Sequence, residues 1–262
     1  MNDFRPKIIR FNSLPSTNTE AARRAQQGAE EGLTIVAGEQ TSGRGRLKRR
    51  WLSPAGAGLY ASIVLRPGLD HVLWSLIPLM AALAVHDALV DAYALDVDIK
   101  WPNDILLAER KLCGILAETV ETNSGRAVVV GIGINLTTEA FPAELHKVAT
   151  SIQEATGQAP DSDGVLQFLL RALADRYALF QAGDAQRIIH DWAKRSTYAQ
   201  GKSVFVTSGD DSFSGITRGL ESDGALRVET VAGEIKVVRA GDVTSVRQTS
   251  LVWPEPAERA KA

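Results

Sequence analysis

Residues 97–136 read VDIKWPNDILLAERKLCGILAETVETNSGRAVVVGIGINL, and this stretch decides the fold class. It contains three apolar runs of strand type: VDIKW, KLCGILAETVE and AVVVGIGINL. The first two are separated by a Pro-Asn-Asp turn and a short segment. Lys100 and Lys111 each lie in or beside a strongly apolar run, where a lysine either snorkels or is held for an anion. Gly114 inside a strand marks a bulge or a close approach by another group. Gly131 and Gly133 interrupt a buried run in the same way, although GxGxN lacks the third glycine and the helix of a dinucleotide fingerprint. No phosphate-loop lysine follows it.

Upstream, residues 71–95 carry apolar side chains at helical spacing and nearly all round, the pattern of a buried helix. LYASIVLRP (59–67) alternates like a strand and stops at Pro67, and LTIVAGEQ (33–40) reads as a buried strand. Residues 8–15 form a further strand. Thr17-Asn18-Thr19-Glu20 then has capping-box spacing, with Thr17 as N-cap of a helix that closes at Gly28. Downstream of Pro142 the pattern turns helical over about 147–156, 163–182 and 185–194, with caps supplied by Asp161-Ser162-Asp163. Near Ser196 the composition shifts. Short β-rich runs broken at Gly209-Asp210, Asp223-Gly224 and Ala232-Gly233 suit a small barrel. The expected fold is therefore mixed α/β (α+β): a mixed-sheet domain over 1–197, a small β-barrel over 198–250 and a flexible tail over 251–262.

Composition excludes several classes. A chain of 262 residues with 45% apolar and 23% charged side chains can bury its own core. The single cysteine, Cys113, excludes an internal disulfide and suits a reducing compartment. The N-terminus lacks the apolar core of a secretory signal, and the apolar stretch 72–85 is interrupted by Ser75 and Pro78, so no membrane segment is expected. A net charge of −2 argues against a general polyanion binder.

The charge is unevenly placed. No acidic residue occurs between Gln40 and Leu69, whereas Arg44, Arg46, Lys48, Arg49 and Arg50 fall within Gly43-Arg-Gly-Arg-Leu-Lys-Arg-Arg-Trp51. Such a run is commonly a solvated loop. Here glycines that let backbone approach an anion alternate with planar guanidinium forks, and Trp51 can anchor the segment, a combination that points to one compact anionic ligand. The four histidines are scattered without metal-ligand spacing, and Ser53 and Ser62 have no neighbouring histidine to make either a nucleophile.

Taken in order, Ser16-Thr17-Asn18, Gln40, the GRGRxxRxW pattern at 43–51, LYASIVLRP, KWPND at 100–104, KLCGILAE at 111–118 and GIGIN at 131–135 resemble the biotin protein ligases. The resemblance implies a catalytic domain related to class II aminoacyl-tRNA synthetase cores and an SH3-like C-terminal barrel. It implies ATP-dependent formation of biotinyl-5′-adenylate and transfer to a lysine of a biotin carboxyl carrier protein, with Mg²⁺ sharing the phosphate charge. By the same resemblance Ser16, Thr17, Asn18 and Gln40 line the biotin pocket. Gly43, Arg44, Gly45, Arg46, Arg49 and Lys111 serve the carboxylate–phosphate encounter, and Arg46, Lys111 and Asp104 are the catalytic candidates. Gly114 and Gly131 pack against the biotin rings, Trp51 orders the loop, Asn135 serves the adenylate, and Arg247 reaches ATP from the small domain. Asp104 either holds the metal or orients the acceptor lysine. Because only about 12 residues precede the first motif, no helix-turn-helix and no specific DNA binding are expected. A cytoplasmic monomer or homodimer is expected. A lipoate- or octanoate-attaching enzyme and a non-catalytic biotin-binding module are the rival readings.

Overall fold

A computed structural model describes residues 4–245, so Arg247 and the expected tail lie outside the described residues. Seven strands form a mixed sheet in the order β1-β2-β3-β7-β6-β5-β4. They are β1 (Lys7–Leu14), β2 (Leu33–Gln40), β3 (Gly58–Leu65), β4 (Asp98–Lys100), β5 (Asp104–Leu107), β6 (Arg110–Thr122) and β7 (Gly125–Asn135). Only β1 and β2 run parallel, joined by helix α1 (Thr17–Gln26), as a parallel pair requires a crossover.

The central strand β3 does not alternate. All eight of its residues are buried, because α1 covers one face and helices α2 (Ile77–Tyr93) and α4 (Ser162–Gln181) cover the other. The helix expected over 71–95 begins as a 3₁₀ turn, His71–Leu76, and becomes α2 with Pro78 at its start, where a missing N–H costs nothing. By composition this is the one described helix apolar enough to cross a membrane, yet its side chains lie largely inside the protein.

Strand β5 was not expected, since the sequence there reads as a turn and a short segment. It pairs with β4 and joins β6 through Ala108-Glu109, both in the left-handed region, as a two-residue hairpin turn demands. Short helix α3 (Ile152–Thr156) and α5 (Ala185–Lys194) complete the helical set.

Five antiparallel strands follow in the order β11-β10-β9-β8-β12: β8 (Gln200–Ser208), β9 (Asp211–Leu220), β10 (Leu226–Thr230), β11 (Ile235–Val238) and β12 (Asp242–Ser245). They share one buried cluster with the larger sheet. Trp101 donates from its indole to the Gly224 carbonyl at 3.0 Å, and Leu76 and Leu79 press on Gly224 so closely that a Cβ there would clash.

The exposed Arg187 and the half-buried Arg195 flank an ion network centred on Arg176, which bonds Asp87 and Asp191 between α2, α4 and α5. Burial by itself would raise both carboxyls. Hydrogen bonds from His86 and Arg176 to Asp87, and from Arg176 and Arg187 to Asp191, outweigh it and hold both below the usual range. A depressed folded pKa contributes stability above the unfolded value of about 3.9, and that contribution is lost as pH falls through the folded value. Arg176→Met removes the partner the two carboxylates share, leaving Asp87 to Arg195 and Asp191 to the exposed Arg187, and should cost about 3 kcal/mol, the low end for a broken buried pair, at neutral pH in urea unfolding. The penalty should shrink once the pH drops below about 4, where the carboxylates take up protons.

Candidate active site

The helix α1 starts one residue earlier than its capping-box spacing suggests. Ser16, not Thr17, is the N-cap, accepting from the Thr19 amide, and Glu20 turns away to bond Arg23 and Arg24. This shift turns Thr17 toward the sheet. Its amide donates to Gln40 Oε1 at 2.8 Å, while Gln40 Nε2 donates to Ser53 Oγ at 2.9 Å. Asn18 reaches over β7 and β6, donating to the Leu116 carbonyl at 3.2 Å and to Glu118 at 2.8 Å.

These groups form one end of a cavity of about 140 Å³. Among the expected residues, Ser16, Thr17, Asn18, Gln40, Arg44, Gly45, Arg46, Arg49, Trp51, Asp104, Lys111, Gly114 and Gly131 all line it. Gly43 does not. A Cβ at Gly43 would meet the Trp51 carbonyl at 2.4 Å and Ser53 Oγ at 2.8 Å, so its bareness lets the base of the loop close beneath the pocket. Asn135 is also outside the lining. It is buried at the end of β7 and donates to the carbonyls of Lys111 and Thr150, so its own carbonyl oxygen is the only group it has left for a ligand.

The glycines expected under a ligand's rings already have occupants. A Cβ at Gly131 would lie 2.0 Å from Asn18 Oδ1, and Cβ atoms at Gly114 and Gly133 would strike the Trp51 indole at 2.9 Å and 2.5 Å. Trp51 therefore lies across the floor of the cavity, its Nε1 buried with no hydrogen-bond partner and Lys111 Nζ 5.3 Å from its ring. A cavity this small is below the range of drug-sized ligand sites, and Arg49, Asn103, Asp104 and Asp242 border it on the side where it opens toward the C-terminal sheet.

The basic segment is a tight hairpin, with the Gly45 amide donating to the Arg49 carbonyl at 2.7 Å and Leu47 and Lys48 both left-handed. Three of the cations that line the cavity from this segment meet a protein carboxylate or amide. Arg44 pairs with Glu118 at 2.5 Å, Arg46 donates to Asn103 Oδ1 at 3.1 Å with Asp242 3.9 Å away, and Arg49 pairs with Asp242. Lys111 lies 2.7 Å from Asp104. Burial pulls the Arg46 guanidinium below its usual value, partly offset by Asp242 and Asp104, and burial lowers Lys100 likewise. Ser53, Ser62, Asn103, Glu118 and Asp242 were not among the expected site residues. Ser62, Asn103 and Glu118 lie inside the quoted motifs; Ser53 and Asp242 carry no pattern of their own.

The carboxylates at the site are all engaged by cations, and no group of three or more metal-ligating side chains occurs among the described residues. That donor set does not fit a resident metal ion.

A family model described as "Biotin/lipoate A/B protein ligase family" matches residues 10–135, and one described as "Biotin protein ligase C terminal domain" matches residues 200–244. The chain is 36% identical over 241 residues to "Bifunctional ligase/repressor BirA" of Bacillus subtilis, covering 90% of this chain and 73% of that protein. It is 36% identical over 234 residues to "Biotin--[acetyl-CoA-carboxylase] ligase" of Paracoccus denitrificans, covering 87% and 96%. The solved structure "Biotin protein ligase from Aquifex aeolicus in complex with biotin and ATP" superposes with a TM-score of 0.80 at 31% identity, covering 92% of this chain and 99% of that one.

Gly131→Ala tests the packing of Asn18 over β7. The added methyl should displace Asn18 and cost about 1–3 kcal/mol in urea unfolding. Gly68→Ala, exposed and with nothing within 4 Å of the new Cβ, is the control expected to stay near neutral.

Proposed function

This chain belongs to the biotin protein ligases of the biotin/lipoate A/B protein ligase family, and from that premise we propose that it activates biotin with ATP and transfers it to a lysine of a biotin carboxyl carrier protein. The observation that carries the reading is the meeting, in one cavity, of a neutral hydrogen-bonding end and a cationic end.

In the first step a biotin carboxylate oxygen bonds to the α-phosphorus of ATP, the bond from that phosphorus to the bridging oxygen breaks, and pyrophosphate leaves. Driving an anion onto a triphosphate is opposed by Coulomb repulsion unless fixed positive charge answers it. Arg44, Arg46, Arg49 and Lys111 supply that charge. They are already poised, but against Glu118, Asp242 and Asp104, so phosphate oxygens would replace these carboxylates as the ligand enters. Mg²⁺ would arrive on the nucleotide as part of the substrate, and no residue of this chain is assigned to it.

In the second step the acceptor amine attacks the biotinyl carbonyl, the bond to the phosphate oxygen breaks, and AMP leaves while the nitrogen loses a proton. Asp104 already holds a lysine nitrogen, that of Lys111, at 2.7 Å. This supports orientation of the acceptor lysine over metal binding as its role. Gly43 and Gly45 would permit the loop to open and reclose, keeping water from the mixed anhydride. Asn135 would offer its carbonyl oxygen to the adenylate. The one described cysteine is buried and free, in keeping with a cytoplasmic enzyme.

Lipoate is the nearest rival substrate. Its dithiolane ring makes no use of the polar groups of Ser16, Thr17 and Gln40, which would then be desolvated without partners. ATP–pyrophosphate exchange measured in parallel with biotin, lipoate and octanoate should proceed with biotin alone; exchange with lipoate or octanoate instead would reverse the assignment. Arg46→Ala should fold normally yet lose roughly two or more orders of magnitude in the exchange rate. An Arg46→Ala protein of normal activity would remove that residue from the chemistry.

A further inference from the structure

Ser62 lies at the middle of β3, fully buried, directly opposite Gly131 of β7. A buried hydroxyl there is unexpected, since its strand neighbours Ala61 and Ile63 are core residues. Its partners are Thr17 Oγ1 at 2.7 Å and Asn18 Oδ1 at 2.6 Å. A serine has one proton for these two contacts, and the surrounding groups decide where it goes.

Asn18 Nδ2 faces the Leu116 carbonyl and the Glu118 carboxylate, both acceptors, so both of its hydrogens are committed and the amide can be oriented only one way. Asn18 Oδ1 therefore faces Ser62 and must accept. That fixes the Ser62 proton on Asn18. Two oxygens at 2.7 Å without a proton between them repel, so Thr17 must donate to Ser62. Gln40 Oε1 also lies within reach of Thr17 Oγ1, at 3.1 Å, but this is the longer of the two contacts open to the Thr17 proton, and Gln40 Oε1 already accepts from the Thr17 amide at 2.8 Å.

We propose that Ser62 is a positioning residue that fixes the hydrogen-bond polarity of the neutral end of the pocket. With its proton directed inward to Ser62, Thr17 Oγ1 offers a ligand lone pairs only, so the ligand must donate there. Ser16, which accepts from the Thr19 amide, keeps its own proton, and Gln40 keeps one N–H beyond the bond to Ser53. The pocket thus presents an acceptor at Thr17 beside donors at Ser16 and Gln40, the complement of a cyclic urea with its N–H beside its carbonyl. The chain of bonds runs from Thr17 through Ser62 and Asn18 to Glu118, which pairs with Arg44 of the basic loop. Gly131 is required because a side chain there would occupy the Asn18 position.

The inference rests on the biotin reading above, and its test separates the two. Ser62→Ala should raise the KM for biotin roughly tenfold or more while the KM for ATP and kcat in the exchange reaction stay within about twofold. Because Ser62 acts through Thr17, the double variant with Thr17→Val should be no worse than Thr17→Val alone. Additive losses, a parallel rise in the KM for ATP, or an unchanged KM for biotin would overturn the proposal. In the ligand-free protein the Asn18 side-chain amide protons should be protected from exchange, and Ser62→Ala should remove that protection; an unchanged rate would also overturn it. A protein that shows the loss of protection but no exchange with biotin keeps the hydrogen-bond chain and loses the biotin reading. Should Ser62→Ala fail to fold, Ser62→Cys, which retains a weak donor in the same place, should give a smaller rise in the KM for biotin; a loss as large as that of Thr17→Val would count against the chain.

Discussion

Four of the cations around one small cavity, Arg44, Arg46, Arg49 and Lys111, are each answered by a carboxylate within 4 Å. An opposed pair of charges at 4 Å is worth about 4 kcal/mol near a protein surface, and like charges cost as much. Glu118 on β6, Asp104 on β5 and Asp242 on β12 provide the answer from three separate strands. The last belongs to the C-terminal sheet, so the small sheet takes part in the electrostatics of the site as well as in the core. The carboxylates resemble phosphates in charge and in the bidentate geometry that guanidinium groups prefer. The phosphate-bearing ligand proposed for this site would find its cations gathered, each released from one anion as it met another.

The neutral end obeys a different constraint. Ser16, Thr17 and Asn18 are each only 4% exposed, so every polar atom among them needs a partner, and their bonds run through Gln40, Ser53, Ser62 and Glu118. The two ends meet at Glu118, which holds both Asn18 and Arg44. One carboxylate thus ties the rigid hydrogen-bonded head to the loop that must change partners.

Much of this was legible in the sequence. GRGRxxRxW announces itself because glycine freedom and fixed charge alternate, and the long runs of β6 and β7 are strands on any reading of their apolar pattern. What was not legible has physical causes. Strand β5 escaped because Ala108 and Glu109 make a left-handed turn without glycine or asparagine, so nothing in their identity marks it. The cap moved from Thr17 to Ser16 because both residues are competent caps and only the bond to Gln40 separates them. Trp51 and Asn18 come from distant segments to lie over Gly114 and Gly131, a packing no local pattern announces. Asp242 lies almost 200 residues beyond its arginine partners, a separation no local pattern bridges.

For ligand phosphates to replace the protein carboxylates, the Arg44–Glu118 and Arg49–Asp242 pairs must break, so the loop has to open in the empty protein and reclose over the filled site. Limited proteolysis within residues 42–50, followed with and without biotin plus ATP or a stable adenylate analogue, reads this directly. Cleavage is expected in the empty protein and strong protection with ligand. Equal cleavage rates in the two states would contradict it.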